Sequence, residues 1–139
     1  MVTTRFPGAA ERLRKAGIPP TRQRVAIAEV LFARPVHLSA DQVLARVREH
    51  MPEMSRATVY NTLKLFREKN MVRELVVDPE RVFYDSNTAP HYHLFDVRTG
   101  ELSDVSADEL QVIGTPVLPA GLELEEVDVI IRVRSRAPA

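Results

Sequence analysis

Three residues that favour the start of a helix each precede an apolar run with helical spacing in the first half of the chain. They are Thr21, Ser39 and Ser55, whose hydroxyl oxygens can accept a bond from a backbone N–H in the first helical turn. Ser39 also begins the capping box Ser-Ala-Asp-Gln, and Pro35 stops the helix that follows Thr21. With an earlier run of helical spacing that begins at Phe6, these signals predict four helices, at residues 6–16, 22–34, 40–50 and 56–69.

The spacing of apolar residues changes to alternation after the fourth predicted helix. Residues 71–77 are rich in valine, residues 81–84 alternate in polarity, and Asp-Pro-Glu-Arg between them is a turn sequence. Helices followed by such a hairpin predict a winged helix-turn-helix domain at residues 1–84. The fourth helix of this domain would enter the major groove of DNA.

The second half of the sequence predicts a small α/β domain at residues 85–139. Residues 91–97 and 101–105 alternate around a glycine-containing turn, which predicts a hairpin. Ser106 begins a second capping box, which predicts a helix to about Ile113. Residues 122–134 alternate between apolar and charged side chains and predict one long strand. The fold class expected for the whole chain is therefore α+β.

The charged residues are distributed unevenly, although the net charge of the 139-residue chain is zero. Residues 1–84 have 15 Lys and Arg against 9 Asp and Glu, whereas residues 85–139 have 4 against 10. A basic first half favours binding to a phosphate backbone. The same asymmetry is compatible with simple attraction between the halves, so it supports nucleic-acid binding only together with the helix-turn-helix pattern.

The candidate DNA-binding residues lie on the exposed face of the fourth predicted helix and at the start of the second. Tyr60 is the best candidate for reading a base, because an exposed aromatic ring can pack on a thymine methyl group. Each residue taken singly is equally compatible with an ordinary solvated helix face. The predicted contacts with double-stranded DNA are Arg22 and Arg24, which are expected to hold phosphates, and Arg56, Thr58, Tyr60, Asn61 and Lys64.

Histidines and carboxylates surround the predicted hairpin of the second domain. His91 and His93 stand at alternate positions and would point to one face of a strand. Asp85 precedes them, and Asp104 lies on the neighbouring predicted strand. Imidazole and carboxylate together suit a divalent transition metal. The chain has no cysteine, which excludes disulfides, thiolate zinc sites and cysteine nucleophiles.

The second domain is expected to pair with a second copy of itself. A domain of about 50 residues has a marginal core on its own, and one strong strand invites pairing. A homodimer would suit a palindromic operator. No apolar run approaches the roughly 20 residues that span a bilayer, and the N-terminus lacks a signal-peptide pattern. We therefore expect no membrane partner and a cytoplasmic location.

The order of predicted elements and three short segments resemble the ferric uptake regulator (Fur) superfamily. The segments are Thr-Arg-Gln-Arg at 21–24, Ala-Thr-Val-Tyr at 57–60 and His-x-His at 91–93. The resemblance implies a dimeric, metal-dependent transcriptional regulator with a winged-helix domain, an α/β dimerisation domain and one divalent metal per subunit, Fe²⁺ or Mn²⁺, with Zn²⁺ also fitting. The implied metal ligands are His37, in the loop before the third helix, Asp85, His91, His93 and Asp104.

Two features depart from the pattern of that family. Its paired cysteines bind a structural zinc, whereas residues 96–99 here are Asp-Val-Arg-Thr. The resemblance therefore implies no structural zinc site and a dimer stabilised by packing alone. A further His/carboxylate site of many relatives has no matching late histidine between residues 122 and 134. Glu109 is accordingly expected to be a capping residue.

The signal implied by the resemblance depends on the branch of the family. The aspartate at the last ligand position, Asp104, resembles the peroxide-sensing branch, in which a ligand histidine is oxidised. His37 and His91 are the matching positions. The cysteine-free hairpin is instead similar to iron-response regulators that sense haem, although Tyr92 interrupts their usual run of histidines. The expected function is a repressor of peroxide-stress or iron-homeostasis genes, with haem sensing as the alternative.

Two other classes of function are compatible with parts of the sequence. Two histidines and a carboxylate also describe a non-haem iron oxygenase. Five ligands leave that chemistry little room, and the sequence shows no glycine-rich loop for a cosubstrate. A DNA-binding adaptor without a sensing role would use the helix-turn-helix alone. The expectation is a regulator and not an enzyme.

Overall fold

The computed structural model describes residues 8–34, 36–89 and 91–136. The chain divides into two compact units, Met1–Thr88 and Ala89–Ala139. Within the described residues, the first unit has four helices and a three-stranded sheet, and the second has a separate three-stranded sheet. The predicted α+β class is confirmed. Over the same ranges, no helix has the length and apolar character that a membrane crossing requires.

Three of the four helices begin where the sequence predicted. Thr21 Oγ1 accepts a bond from the Arg24 N–H at 3.2 Å, and Ser55 caps the fourth helix in the same way. The predicted capping box is complete, because Ser39 Oγ accepts from the Gln42 N–H and Gln42 Oε1 accepts from the Ser39 N–H. The helices are α1 (Ala9–Lys15), α2 (Arg22–Phe32), α3 (Ala40–Arg48) and α4 (Arg56–Glu68).

The helix ends differ slightly from the prediction. Helix α3 stops at Arg48 rather than His50 because the last N–H groups turn to carbonyls three residues back, as in the 3.2 Å bond from Glu49 N to Arg46 O. The predicted start of the first helix at Phe6 and the predicted stop at Pro35 lie outside the described residues.

The four helices enclose the main apolar core. The Phe66 ring of α4 is completely buried, and its centroid lies 6.1 Å from that of Phe32. The predicted inner face of α4, formed by Val59, Leu63 and Phe66, is confirmed as buried. Burial of this face fixes the rotation of α4 about its axis, so that Tyr60, about 100° around the helix from Val59, remains 45% exposed.

A three-stranded antiparallel sheet completes the first unit. The predicted wing is confirmed as β2 (Arg73–Asp78) and β3 (Arg81–Asp85). The remaining strand, β1 (His37–Leu38), pairs with β3. The prediction that His37 lies in a loop was therefore wrong. A strand of two residues is too short to show a periodic pattern in the sequence.

The second unit is built on the predicted hairpin. Its strands are β4 (Tyr92–Asp96) and β5 (Leu102–Val105), which run antiparallel with His93 opposite Asp104. A third strand, β6 (Ile130–Val133), runs parallel to β4 on its other side. The prediction of a hairpin is confirmed, and β4 is the central strand of this sheet.

One predicted element of the second unit was wrong, and another is shorter than predicted. The helix expected between residues 107 and 113 is only a turn, in which the Glu109 N–H donates to Ser106 O at 3.0 Å. The cap signal is therefore present, but Gly114 and Pro116 follow too soon for a helix to extend. The strand expected over residues 122–134 is formed only at Ile130–Val133.

A cluster of hydrogen bonds joins the β4–β5 turn to the residues after β6. Asp96 Oδ1 accepts bonds from the backbone N–H groups of Arg98, Thr99 and Ser135 at 2.9, 3.3 and 3.3 Å. The Ser135 hydroxyl donates to Asp96 Oδ2, and Arg98 Nη1 donates to Ser135 O at 3.0 Å. The bond from the Ser135 hydroxyl is the main reason that the pKa of Asp96 is lowered to about 2. We call Asp96, Arg98, Thr99 and Ser135 the Asp96 clasp.

Candidate metal centre and nucleic-acid interface

The first unit places one histidine beside one buried carboxylate. His37 in β1 is the direct partner of Asp85 in β3, and His37 Nε2 lies 3.2 Å from Asp85 Oδ2. The strand pairing is held next to this point by Ser86, whose Oγ accepts from the Val36 N–H at 3.2 Å. We call His37 and Asp85 the first half-site.

The carboxylate of Asp85 is oriented by its own backbone. Its Oδ1 accepts the N–H of Asn87 at 2.8 Å, which leaves Oδ2 toward His37. The Asp85 residue is only 1% exposed. A buried carboxylate is costly unless a cation or strong donors compensate it, so this geometry favours a positively charged occupant beside Oδ2.

The second unit places two histidines around a second carboxylate. Asp104 Oδ1 lies 3.2 Å from His91 Nε2 and 3.7 Å from His93 Nε2. The two imidazole rings meet edge to face with centroids 4.5 Å apart. His93 is 3% exposed as a residue, whereas the Asp104 side chain is 42% exposed. We call His91, His93 and Asp104 the second half-site.

A backbone carbonyl sets the tautomer of His91. His91 Nδ1 lies 2.6 Å from Ala89 O, and a carbonyl can only accept, so Nδ1 must carry the proton. In the neutral ring, Nε2 then presents its lone pair toward Asp104. Metal-binding histidines commonly donate their other ring N–H in this way, which fixes the ring and raises the basicity of the ligand nitrogen.

The donor atoms of each half-site are of the kinds that bind a divalent transition metal. Within each half-site, imidazole nitrogen and carboxylate oxygen face one another at about the distance that a shared cation or proton would bridge. Imidazole and carboxylate suit Fe²⁺, Mn²⁺ and Zn²⁺, and thiolate is not available. Each of the five side chains offers one ligand atom.

The predicted DNA contacts of α4 lie on its outer face. Tyr60, Asn61, Lys64 and Arg56 are exposed, and Thr58 is half-buried near the start of the helix. These residues lie in the first turn of α4 and along the sides of the helix that the buried Val59, Leu63 and Phe66 leave exposed. The structure therefore presents a polar and cationic surface of the kind that enters a major groove.

The start of α2 lies next to this surface. Thr21, Arg24, Thr58 and Asn61 are among the residues that line one cavity of about 330 Å³. Arg24 is held there by a 3.0 Å bond from its Nη1 to Pro19 O. Arg24, a predicted phosphate contact of α2, thus shares one concave surface of the first unit with Thr58 and Asn61 of α4.

Two acidic residues beside this surface were missed in the sequence. Asp41 of α3 contacts Arg56, and Glu53 pairs with Arg22 at 3.7 Å. Asp41 is 15 residues from its partner along the chain. Such a pair depends on how α3 packs on α4 and has no periodic signature, so no sequence signal could have identified it.

Comparison with known proteins places this architecture in a family. The sequence matches the Ferric uptake regulator family over residues 15–132. The peroxide-responsive repressor PerR of Staphylococcus aureus is 35% identical over 101 residues, which cover 73% of this chain and 68% of that protein.

Two solved structures are similar over most of their length. The ferric uptake regulator of Pseudomonas aeruginosa with manganese has a TM-score of 0.68 at 25% identity, covering 93% of this chain and 98% of that one. The ferric uptake regulator of Francisella tularensis with iron has a TM-score of 0.69 at 24% identity, covering 86% and 93%. The resemblance found in the sequence and the expectation of a regulator rather than an enzyme are confirmed. The chain belongs to the Ferric uptake regulator family, whose members are metal-dependent, dimeric, DNA-binding regulators.

Proposed function

We propose that this protein is a homodimeric repressor that binds a palindromic operator when Fe²⁺ or Mn²⁺ is bound to His37, Asp85, His91, His93 and Asp104. The observation that carries the proposal is the pair of half-sites, two ligands in one unit and three in the other. The first unit would bind DNA, and the second would dimerise and sense the metal.

The number of ligands in each half-site favours one shared ion. Two donors or three donors alone leave several positions of a five- or six-coordinate ion to water. Donors from both units on one ion would restrict the orientation of the DNA-binding unit relative to the dimerising unit. Metal binding would then shift the population toward the form that fits both halves of an operator.

The character of the ligands favours Fe²⁺ or Mn²⁺ as the regulatory ion. Three imidazoles and two carboxylates form a mixed nitrogen and oxygen shell without sulfur, which suits these ions as well as Zn²⁺. Metal selection would then depend on geometry and on which ion is available, since intrinsic affinity alone favours Zn²⁺.

Peroxide is the signal that the ligand set and the relatives favour. Asp104 is the last ligand, and a relative at 35% identity is a peroxide-responsive repressor. When bound, Fe²⁺ would supply the redox chemistry that activates hydrogen peroxide. Peroxide is the two-electron oxidant: one of its oxygen atoms would be inserted at a ring C–H of a ligand imidazole, and the other would leave as water. Oxidation of His37 or His91 would weaken that ligand and so release DNA.

Metal-dependent DNA binding is tested by anisotropy with two labelled duplexes. One is enriched from a random-sequence pool by the Mn²⁺-loaded protein, and the other has the same bases in scrambled order. We expect Mn²⁺ to tighten binding to the enriched duplex by at least about tenfold, and His91→Ala to remove this effect while His50→Ala retains it. Equal affinity for both duplexes at every salt concentration, with or without Mn²⁺, would refute the proposal.

The peroxide signal is tested separately by mass spectrometry. The Fe²⁺-loaded protein receives one equivalent of hydrogen peroxide, and we expect one added oxygen on the peptides that contain His37 or His91. The Mn²⁺-loaded protein and the peptide that contains His50 serve as controls. Absence of oxidation together with tight haem binding would favour the haem-sensing alternative over the peroxide response.

A further inference from the structure

An acidic side chain of α3 lies against two candidate DNA contacts of α4. Arg56 Nη1 donates to Asp41 Oδ1, and the hydroxyl oxygen of Tyr60 lies 3.5 Å from the same Asp41 oxygen. The side chains of Arg56 and Asp41 are 61% and 65% exposed. A DNA duplex could therefore reach the pair without rearrangement of the core.

The partners of Asp41 are groups that phosphate oxygens would otherwise bind. Arginine favours planar oxygen pairs on carboxylate or phosphate, and both anions present the same kind of acceptor. The hydrogen bond that Arg56 donates to Asp41 raises the pKa of Arg56, because the carboxylate stabilises the charged guanidinium. An exposed ion pair is weak, so an incoming anion can exchange with the carboxylate.

We propose that Asp41 is a specificity-determining residue that occupies Arg56 and Tyr60 until an operator replaces it. This inference rests on the proposed DNA-binding role of α4. On DNA of arbitrary sequence, a phosphate would only replace the Asp41 carboxylate that Arg56 already binds. The net gain in binding free energy from that phosphate contact is therefore small. On an operator, base contacts by α4 would hold the helix close enough to complete the exchange. Asp41 would therefore weaken non-specific binding more than specific binding.

A second acidic residue has a similar relationship to a candidate phosphate contact. Glu53, in the loop before α4, lies 3.7 Å from Arg22 through Oε1 and Nη2. The Arg22 and Glu53 side chains are 77% and 62% exposed. Because the Arg22–Glu53 pair is longer and its arginine more exposed than the Arg56–Asp41 pair, we expect Glu53 also to weaken non-specific DNA binding, but by less than Asp41.

The experiment compares Asp41→Asn with a matched control in the full-length, Mn²⁺-loaded protein. Asparagine keeps the shape of the side chain and removes its charge. Glu11→Gln is the control, because Glu11 forms an exposed pair with Arg14 at 3.7 Å on α1 and neither residue is a candidate DNA contact. Affinities for the enriched and the scrambled duplex are measured over a series of salt concentrations.

We expect Asp41→Asn to bind the scrambled duplex about three- to tenfold more tightly at low salt. The slope of log affinity against log salt should steepen by about 0.9 for each added phosphate contact. Affinity for the enriched duplex should change less, so the ratio of specific to non-specific binding falls. Glu11→Gln should bind both duplexes with the affinities of the wild type. Glu53→Gln should bind the scrambled duplex more tightly than the wild type, by a smaller factor than Asp41→Asn.

A double-substitution cycle separates this role from a general effect on the fold. Asp41 lies in the first turn of α3, where a negative charge also stabilises the helix. If Asp41 acts mainly through Arg56, Asp41→Asn should have a much smaller effect on scrambled DNA in an Arg56→Gln background, where only the Tyr60 contact of Asp41 is left to release. An equal effect in both backgrounds would overturn the inference.

The outcomes distinguish this inference from the proposed function. Wild-type protein that does not discriminate between the duplexes would refute the DNA-binding function itself. Discrimination by the wild type with an unchanged scrambled affinity and salt slope for Asp41→Asn would refute only the inference. A proportional loss of both affinities would instead identify Asp41 as a residue that positions Arg56 for contact, which also contradicts the competition proposed.

Discussion

His37 and Asp85 are direct partners across two short antiparallel strands, with Nε2 of the histidine 3.2 Å from Oδ2 of the aspartate. The two residues are 48 positions apart in the sequence. Their proximity depends on a two-residue strand that the backbone and side chain of Ser86 hold in place. Two of the five proposed metal ligands are therefore positioned by the sheet of the first unit.

Replacement of Asp85 by asparagine should lower metal affinity by at least about tenfold. The amide oxygen can still accept the Asn87 N–H, so the local turn should persist, but the negative charge next to His37 is lost. Mn²⁺ competition against a fluorescent chelator measures the effect. Asp108→Asn, an exposed substitution in the turn after β5, is the matched control. Equal affinities for the two variants would argue against Asp85 as a ligand.

The Asp96 clasp should stabilise the second unit in a pH-dependent way. The pKa of the Asp96 carboxyl group is lowered from 3.8 to about 2 in the folded protein. The contribution of the ionised carboxylate to stability is therefore fully present above pH 3.8 and is lost as the pH falls toward 2. Asp96→Asn should therefore lower the melting temperature at neutral pH, with a difference that shrinks in this acidic window.

Thermal unfolding of Asp96→Asn and of the control Glu101→Gln measures the clasp. Glu101 is exposed, and its backbone carbonyl accepts the Asp96 N–H at 2.9 Å, a bond that a change of side chain leaves in place. Glu101→Gln therefore removes the same charge without touching the clasp. A difference between Asp96→Asn and wild type that stays constant down to pH 2 would contradict the account.

The helix starts could be predicted because their signals are local. Thr21, Ser39 and Ser55 each bond to an N–H within three residues, so the sequence alone contains both partners. The register of His93 against Asp104 was also accessible, since a short turn connects their strands. The division of α4 into a buried and an exposed side followed from the 3.6-residue spacing of its apolar residues.

The remaining features depend on partners that are distant in sequence or in another molecule. Ser106 provides a cap, but the residues after it do not continue as a helix. Residues 122–128 alternate like a strand yet do not form one among the described residues, and the next residue, Val129, accepts the His93 N–H at 3.1 Å just before β6 begins. Pattern alone cannot distinguish a strand that pairs within the chain from a segment whose apolar face would be covered by a second copy.

Replacement of Leu124 by aspartate should weaken dimerisation. Leu122, Leu124 and Val127 are 61%, 55% and 53% exposed in the single chain, and clustered exposed apolar residues mark an interaction surface. A charge at the centre of that surface would have to be desolvated on association. Sedimentation equilibrium should show a larger dissociation constant for Leu124→Asp, whereas Glu123→Lys should change it little. Unchanged dimerisation of Leu124→Asp would place the interface elsewhere.

Truncation of Phe66 should destabilise the first unit by about 3–5 kcal/mol. The ring is completely buried and packs near Phe32, so alanine leaves a cavity under the buried face of α4. Denaturant unfolding measures the change, with the exposed Glu68→Ala as control. A loss below about 1 kcal/mol would show that the core can repack around the site.

The central claim is that both half-sites bind the same ion, and native mass spectrometry with an affinity cycle tests it most directly. Wild-type protein should bind one Mn²⁺ per subunit, and His37→Ala or His93→Ala should each weaken that same binding event strongly. The double variant should lose less affinity than the sum of the single losses, because the ligands act on one ion. Two ions per subunit, with each substitution removing a different one, would contradict the account.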